Sequence, residues 1–230
     1  MSKIKICGLS RIQDIEAVNR TLPDFIGFVF APGRRRVDIA LAAMLKEKLN
    51  SQIETVGVFV NEKIETITEI YRKGIINLVQ LHGDEDDEYI KQLKKSCAVL
   101  VHSTAGSFAG GTYSEASSTC RVIKAVGVGD VLPSLPVESD YVLFDTLSEH
   151  RGGTGKSFDW RILKEYCTAS LYHGLPFFLA GGLSIENTAE AIQMLNPFCI
   201  DVSSGVETDG LKDTEKIEKI VSMIRGIYEQ

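Results

Sequence analysis

Thr55-Val56-Gly57-Val58-Phe59-Val60-Asn61-Glu62-Lys63-Ile64-Glu65-Thr66-Ile67-Thr68-Glu69-Ile70-Tyr71-Arg72 reads as one strand followed by one helix. The run from Thr55 to Val60 is almost unbroken in hydrophobicity, as in a strand covered on both faces. Beyond Asn61, apolar residues return at helical spacing as Ile64, Ile67, Ile70 and Tyr71, with charged residues between them. A strand that feeds a helix and then another strand is the repeating piece of a parallel sheet. Working outward in both directions, eight such β-rich runs appear: Lys3 to Cys7, Phe25 to Phe30, Thr55 to Val60, Leu78 to Leu81, Val122 to Val126, Tyr141 to Phe144, Phe177 to Ala180 and Cys199 to Ser203.

Helices fit the intervening stretches Asp38 to Leu49, Lys63 to Arg72, Asp84 to Lys95, Trp160 to Cys167, Ser184 to Leu195 and Asp213 to Tyr228. Ser184 and Asp213 each stand where an N-cap is expected. Two stretches interrupt the alternation. Val128 to Glu138 holds Pro133 and Pro136, so it accommodates only a short or distorted helix, and residues 101–119 are Gly-, Ser- and Thr-rich, as in a surface insertion. Eight strand-then-helix units in 230 residues predict a single (β/α)8 barrel domain over residues 1–230; an open doubly wound sheet is the competing architecture.

The net charge of -6, from 25 basic and 31 acidic residues, argues against a nucleic-acid or membrane-surface binder, so an anionic ligand must be met locally. The 5 cysteines are widely spaced and form no Cys-x-x-Cys pair, and no metal-ligand spacing of histidines accompanies them. Neither a secretory core nor a long apolar span is evident, and a cytoplasmic protein is expected.

In either fold the chemistry gathers at the C-terminal ends of the strands. Those ends carry Cys7, the triplet Arg34-Arg35-Arg36, Asn61, His82, Asp145 and two glycine-containing junctions. Cys7 reads as a proton-transfer base if its thiol is tuned downward, or as a small buried hydrophobe. Among the arginines, one guanidinium suits bidentate capture of a carboxylate, although a solvated basic loop would look the same. Ala180-Gly181-Gly182-Leu183-Ser184 and Asp201-Val202-Ser203-Ser204-Gly205-Val206 occupy the last two junctions, where barrels hold phosphate through backbone N–H groups. Asp145 follows an apolar run and suits a general acid, or a turn. His82 contacts a ligand or caps the fourth helix. Gly152-Gly153-Thr154-Gly155-Lys156 lacks Walker spacing and reads as a loop that covers the site.

Taken in order, Lys5-Ile6-Cys7-Gly8, Gly27-Phe28-Val29-Phe30 with Arg36 beyond, Val56 to Asn61, Val79-Gln80-Leu81-His82-Gly83, Phe144-Asp145-Thr146, Gly152 to Trp160, Ala180 to Leu183 and Asp201 to Glu207 resemble the motifs of the phosphoribosylanthranilate isomerases of tryptophan biosynthesis. The resemblance implies a (β/α)8 barrel and an Amadori rearrangement without a cofactor or metal. It further implies that Asp145 acts as general acid and Cys7 as general base, with Arg36 on the substrate carboxylate. Phosphate then falls to Gly181, Gly182, Ser203, Ser204 and Gly205, with His82 and Asp201 as further substrate contacts and Gly152, Gly153, Thr154 and Gly155 as a lid. The partner it implies is a small phosphosugar, with no nucleic acid and no membrane, met by a monomer or homodimer.

Arg34 and Arg35 depart from the pattern, since their charge could compete with Arg36, and the 101–119 segment looks longer than the usual connection. Other readings are a different phosphosugar isomerase or lyase on the same barrel, or a noncatalytic phosphosugar-binding barrel. A noncatalytic barrel would tolerate loss of Cys7 and Asp145.

Overall fold

The computed structural model describes residues 1–98, 119–129, 134–146, 159–168 and 174–227. The expected loop at Gly152–Lys156 and all but the last residue of the expected insertion lie outside the described residues. Within them, eight strands close in sequence order, β1 (Lys3–Cys7), β2 (Phe25–Val29), β3 (Glu54–Phe59), β4 (Leu78–Leu81), β5 (Arg121–Val128), β6 (Tyr141–Thr146), β7 (Phe177–Leu179) and β8 (Cys199–Val202). β8 returns to pair in parallel with β1, with Lys5 opposite Asp201, so the open-sheet alternative is excluded. All eight apolar runs are strands.

The helices are α1 (Ile12–Thr21), α2 (Ile39–Glu47), α3 (Ile64–Arg72), α4 (Asp87–Cys97), α5 (Arg161–Thr168), α6 (Thr188–Leu195) and α7 (Thr214–Gly226). α1 was not among the expected helices. Its first turn depends on Asp14, whose carboxylate accepts the N–H groups of Ser10 and Arg11 at 2.9 and 3.0 Å. Asp213 caps α7 as expected, accepting from Glu215 and Lys216. Ser184 does not cap α6. The chain makes a turn first, Asn187 takes the N-cap position, and the helix begins at Thr188. The fourth helix likewise starts later than expected, with Asp86 as its cap. In the described part of the proline-containing stretch, residues 134–138, there is no helix. Two short antiparallel strands, β9 (Glu207–Thr208) and β10 (Leu211–Lys212), follow β8 as a hairpin.

Side chains alternate between the barrel interior and the layer under the helices. The interior floor is apolar and includes Phe25, Val56, Leu78, Ile123, Leu143, Phe178 and Cys199. A larger apolar layer, with Ile26, Phe28, Val79, Phe144 and Ile200 from the strands and Ile67, Ile90 and Ile220 from the helices, joins barrel to helices. Two residues beyond the floor on their strands come Gln80, Asp145 and Asp201, and Lys5 lies beside Asp201. Two beyond Lys5, Gln80 and Asp201 come Cys7, His82 and Ser203. The interior therefore changes from hydrocarbon to charge within one side-chain layer.

Among the described residues, no helix is long and apolar enough to cross a membrane.

Candidate active site

Cys7 ends β1 with only 9% of its surface exposed. Its thiol lies against Gly27, its partner on β2, where a Cβ would come within 2.6 Å of Sγ. Gly27 is thus the space that the thiol occupies. Burial pushes the Cys7 thiol up from its ordinary value; the nearby ammonium of Lys5 and, more weakly, that of Lys212 pull it down, while Asp201 adds to the rise. The net direction is upward, against the expectation of a thiol tuned downward, because desolvation of the thiolate outweighs both cations.

Under Cys7 lies a buried polar group. Lys5 Nζ donates to Asp201 Oδ2 at 2.7 Å and to Gln80 Oε1 at 2.8 Å. Burial alone would lower the Lys5 pKa, but the Asp201 carboxylate and Cys7 reverse the direction and hold it raised, so the side chain is an ammonium. Removing one member of such a buried pair costs roughly 3–5 kcal/mol, since the other charge is left uncompensated. Asp201 Oδ1 is also buried and has no hydrogen-bond partner among the described residues.

His82 follows β4. It does not cap the fourth helix. Its Nδ1 lies 3.0 Å from Gln80 Nε2, and its Nε2 lies 3.4 Å from Asp145 Oδ2. Asp145 Oδ1 accepts the N–H of Thr146 at 2.7 Å. The loop carrying His82 is pinned by the buried Glu85 carboxylate, which takes the N–H groups of Asn61 at 2.6 Å and Gly83 at 2.8 Å, with Lys124 Nζ at 3.0 Å.

The glycine junctions meet beside Asp145. Gly181 and Gly182 adopt φ of +87° and +63°, which L residues rarely do, and a Cβ at Gly181 would stand 3.0 Å from Asp145 Oδ1. Gly205, in a 3-10 turn at Ser204–Val206, packs its Cα against the Leu183 carbonyl, so the two junctions touch. Ser203 Oγ donates to the Cys7 carbonyl at 3.1 Å, which ties β8 to β1 at the mouth.

The arginine triplet divides. Arg34 Nη2 and Arg35 Nε reach Glu207 at 2.7 and 2.6 Å, and Lys212 Nζ reaches the same carboxylate at 2.7 Å. Burial would raise Glu207, but the hydrogen bonds from Arg35 and Lys212 outweigh it and hold the carboxyl at about 2. Arg36 is exposed, bridges to Val29 through its backbone, and has no acidic partner among the described residues. The expected competition from Arg34 and Arg35 is therefore removed by Glu207.

The structure thus brings Cys7, His82, Asp145, Asp201, Gly181, Gly182, Ser203, Ser204 and Gly205 to one end of the barrel, with Arg36 beside β2. Lys5, Gln80, Glu207 and Lys212 were not singled out from the sequence. A signal existed for two of them. Lys5 and Gln80 are polar residues at inward positions, two before Cys7 and His82, on strands whose outer face is also covered. Lys212 and Glu207 carry no such mark, because only the hairpin brings them under β1. Among the described residues there is no His, Cys, Asp and Glu cluster able to hold a metal ion.

The family model described as N-(5'phosphoribosyl)anthranilate (PRA) isomerase matches residues 4–109 and 106–223. An N-(5'-phosphoribosyl)anthranilate isomerase of Endomicrobium trichonymphae is 43% identical over 228 residues, covering 99% of this chain and 100% of its own. The crystal structure of a phosphoribosyl anthranilate isomerase from Thermus thermophilus superposes with a TM-score of 0.77 at 26% identity, over 98% of this chain and 99% of its own. A phosphoribosyl anthranilate isomerase in complex with reduced 1-(o-carboxyphenylamino)-1-deoxyribulose 5-phosphate is similar with a TM-score of 0.73 at 29% identity, over 98% and 100% of the two chains.

Proposed function

The chain belongs to the N-(5'-phosphoribosyl)anthranilate isomerase family, and on that premise we propose that Cys7 is its general base and Asp145 its general acid. The reaction is the Amadori rearrangement of N-(5-phosphoribosyl)anthranilate to 1-(2-carboxyphenylamino)-1-deoxyribulose 5-phosphate, in tryptophan biosynthesis. In the first step Asp145 gives a proton to the furanose ring oxygen while the C1′–O bond breaks, and the anilino nitrogen supplies the electron pair for a protonated Schiff base. Cys7 as thiolate then takes the C2′ proton, the C2′–H electrons form the C1′=C2′ bond, and the C1′=N pair returns to nitrogen to give an enolamine. The enolamine tautomerises to the ketone, with a proton returning to C1′. Substrate and product are isomers, so the balance closes without an oxidant, a reductant or a cofactor.

The observation that carries this reading is the pairing of a buried thiol on β1 with a carboxylate on β6 at the same end of one closed barrel. Arg36, free of the Glu207 cluster, takes the anthranilate carboxylate as a planar fork. Phosphate sits where the Gly181-Gly182 junction meets Ser203-Ser204-Gly205, held by backbone N–H groups. The unpaired Asp201 Oδ1 is the acceptor for a sugar hydroxyl, and His82 lies beside the same ribose. Holding both ends of the substrate fixes the sugar between acid and base, the positional contribution on which a reaction without a cofactor relies. We further propose that residues 1–230 form one domain, a reading supported by a family match that runs from residue 4 to residue 223.

The test is turnover of freshly generated phosphoribosylanthranilate, followed as loss of anthranilate fluorescence. Cys7→Ala and Asp145→Ala are expected to lower kcat by about two orders of magnitude or more each while keeping native circular dichroism. A loss of about tenfold or less would reject that residue's assignment.

A further inference from the structure

Two hydrogen bonds run across the barrel interior from β1 to His82 after β4, a 3.4 Å contact continues to Asp145 on β6, and each link dictates the next. Lys5 is fully buried and donates to Gln80 Oε1 at 2.8 Å. An ammonium has three donors and no acceptor, so the Gln80 atom that faces it must be the amide oxygen. The amide NH2 then points the other way, to His82 Nδ1 at 3.0 Å. An amide nitrogen only donates, so Nδ1 must accept, and the proton of the neutral ring belongs on Nε2. Nε2 is the atom that lies 3.4 Å from Asp145 Oδ2.

We infer that Gln80, clamped by Lys5, is a positioning residue that fixes the tautomer of His82 and so aims its Nε2–H at the Asp145 carboxylate. The inference rests on the assignment of Asp145 as the acid. Flipping the Gln80 amide would set NH2 against ammonium and leave buried donors unpaired, which is costly. Gln80 has 2% of its surface exposed, so solvent does little to relieve such a flip.

The consequence is a difference between the two states of the acid. With its proton given away, Asp145 carries charge on two oxygens. Oδ1 faces the Thr146 N–H at 2.7 Å and Oδ2 faces His82. At 3.4 Å the His82 contact is longer than a hydrogen bond, and for the inference to hold it must close as charge grows on Oδ2. A donor that strengthens as the proton leaves lowers the barrier, whereas one equally strong before and after does not. The opposite tautomer would turn a lone pair toward Asp145, which favours the undissociated acid and holds the proton back.

Nitrogen-15 NMR of protein labelled in its imidazole rings, at about pH 8 where a histidine is ordinarily neutral, reads the tautomer directly. His82 is assigned by its disappearance in His82→Gln. The expected spectrum has a protonated Nε2 and a bare Nδ1; a protonated Nδ1 overturns the inference. Gln80→Glu keeps an acceptor for Lys5 and offers a second one to His82, so Nδ1 takes the proton. That variant is expected to lose about tenfold or more in kcat, with KM within about twofold. A switched tautomer with unchanged kcat overturns the inference. Should Gln80→Glu fail to fold, His82→Gln still presents an N–H to Asp145 and His82→Leu does not. His82→Gln is expected to be at least about tenfold faster than His82→Leu, and equal rates overturn the inference. Full activity of Asp145→Ala would instead remove the acid assignment while leaving the tautomer result standing.

Discussion

Gly27→Ala puts one carbon where the Cys7 thiol now sits. Its Cβ would lie 2.6 Å from Sγ, 3.1 Å from Cα and 3.3 Å from Cβ of Cys7. Ordinary contacts between such atoms are about 3.5–4.0 Å, so Sγ must move by about 1 Å or rotate out of its place. Gly27 is not in the left-handed region, so alanine brings no backbone strain, and the effect falls on the thiol and the β1–β2 spacing. Overpacking of this kind costs about 1–3 kcal/mol of stability, which a barrel of this size should survive. A displacement of about 1 Å at a reacting atom costs about 100-fold in rate, equivalent to about 2.7 kcal/mol in the barrier. The assay is the initial rate by loss of anthranilate fluorescence, with urea unfolding as the fold control. The expected result is kcat down about 100-fold and KM within about threefold, because the residues proposed to hold carboxylate and phosphate lie outside β2. A folded variant whose kcat stays within about threefold of the parent would refute the reasoning, since the position of Sγ would then not matter to the chemistry.

Glu207 makes a stability prediction with a definite sign. Its folded value of about 2 lies below the ordinary 4.5, so its contribution is fully present above about pH 4.5 and is lost as the pH falls toward 2. Glu207→Gln should cost about 3 kcal/mol by urea unfolding at pH 7 and only about 1 kcal/mol at about pH 3; equal costs would remove the ionic account. For Cys7, the raised thiol means that the reactive thiolate fraction keeps growing with pH beyond the usual thiol range, so kcat/KM should climb on the alkaline side. Lys212→Met removes one of the two cations that oppose this rise and should shift the climb to higher pH; an unmoved profile would show that Lys212 does not act on the thiol. Arg36→Met should raise KM with little change in kcat, whereas Arg34→Met, whose guanidinium is paired with Glu207, should change KM by less than about twofold. The reverse order would transfer carboxylate binding to Arg34.

The strands were legible because parallel strands covered on both faces are short, dense apolar runs. Cys7, His82 and Asp145 were legible as candidates for the same reason, since each follows such a run. Helix starts were less so. Ser184 has the chemistry of a cap but lies one turn too early, and the choice of Asn187 depends on how the chain leaves the Gly181-Gly182 turn. Helix α1 was missed because the surrounding sequence is polar and its first turn is organised by Asp14 rather than by a serine or threonine cap. Lys5, in the charged layer under the mouth, was missed for a different reason. Lys3-Ile4-Lys5-Ile6-Cys7 alternates as a half-exposed strand would, yet both faces of β1 are covered, so Lys5 had no solvent to point to. The ionisation of Cys7 could be read locally only in part, since it depends first on burial and on Lys5 two residues away, and then on Asp201 and Lys212, far away in sequence.

Closure of the barrel by pairing β1 with β8 has a consequence for the newborn chain. The thiol emerges from the ribosome well before β8, the hairpin lysine and the serine that ties it to β8 are made. At ordinary rates of synthesis, the 195 residues from Cys7 to Val202 (202 minus 7) take roughly 10–40 s to make. Through that interval the cysteine has no barrel to bury it, and its protection against oxidation rests on the surrounding medium rather than on the fold. The pairing of β8 with β1 that closes the barrel is therefore also what ends the vulnerability of the nascent thiol.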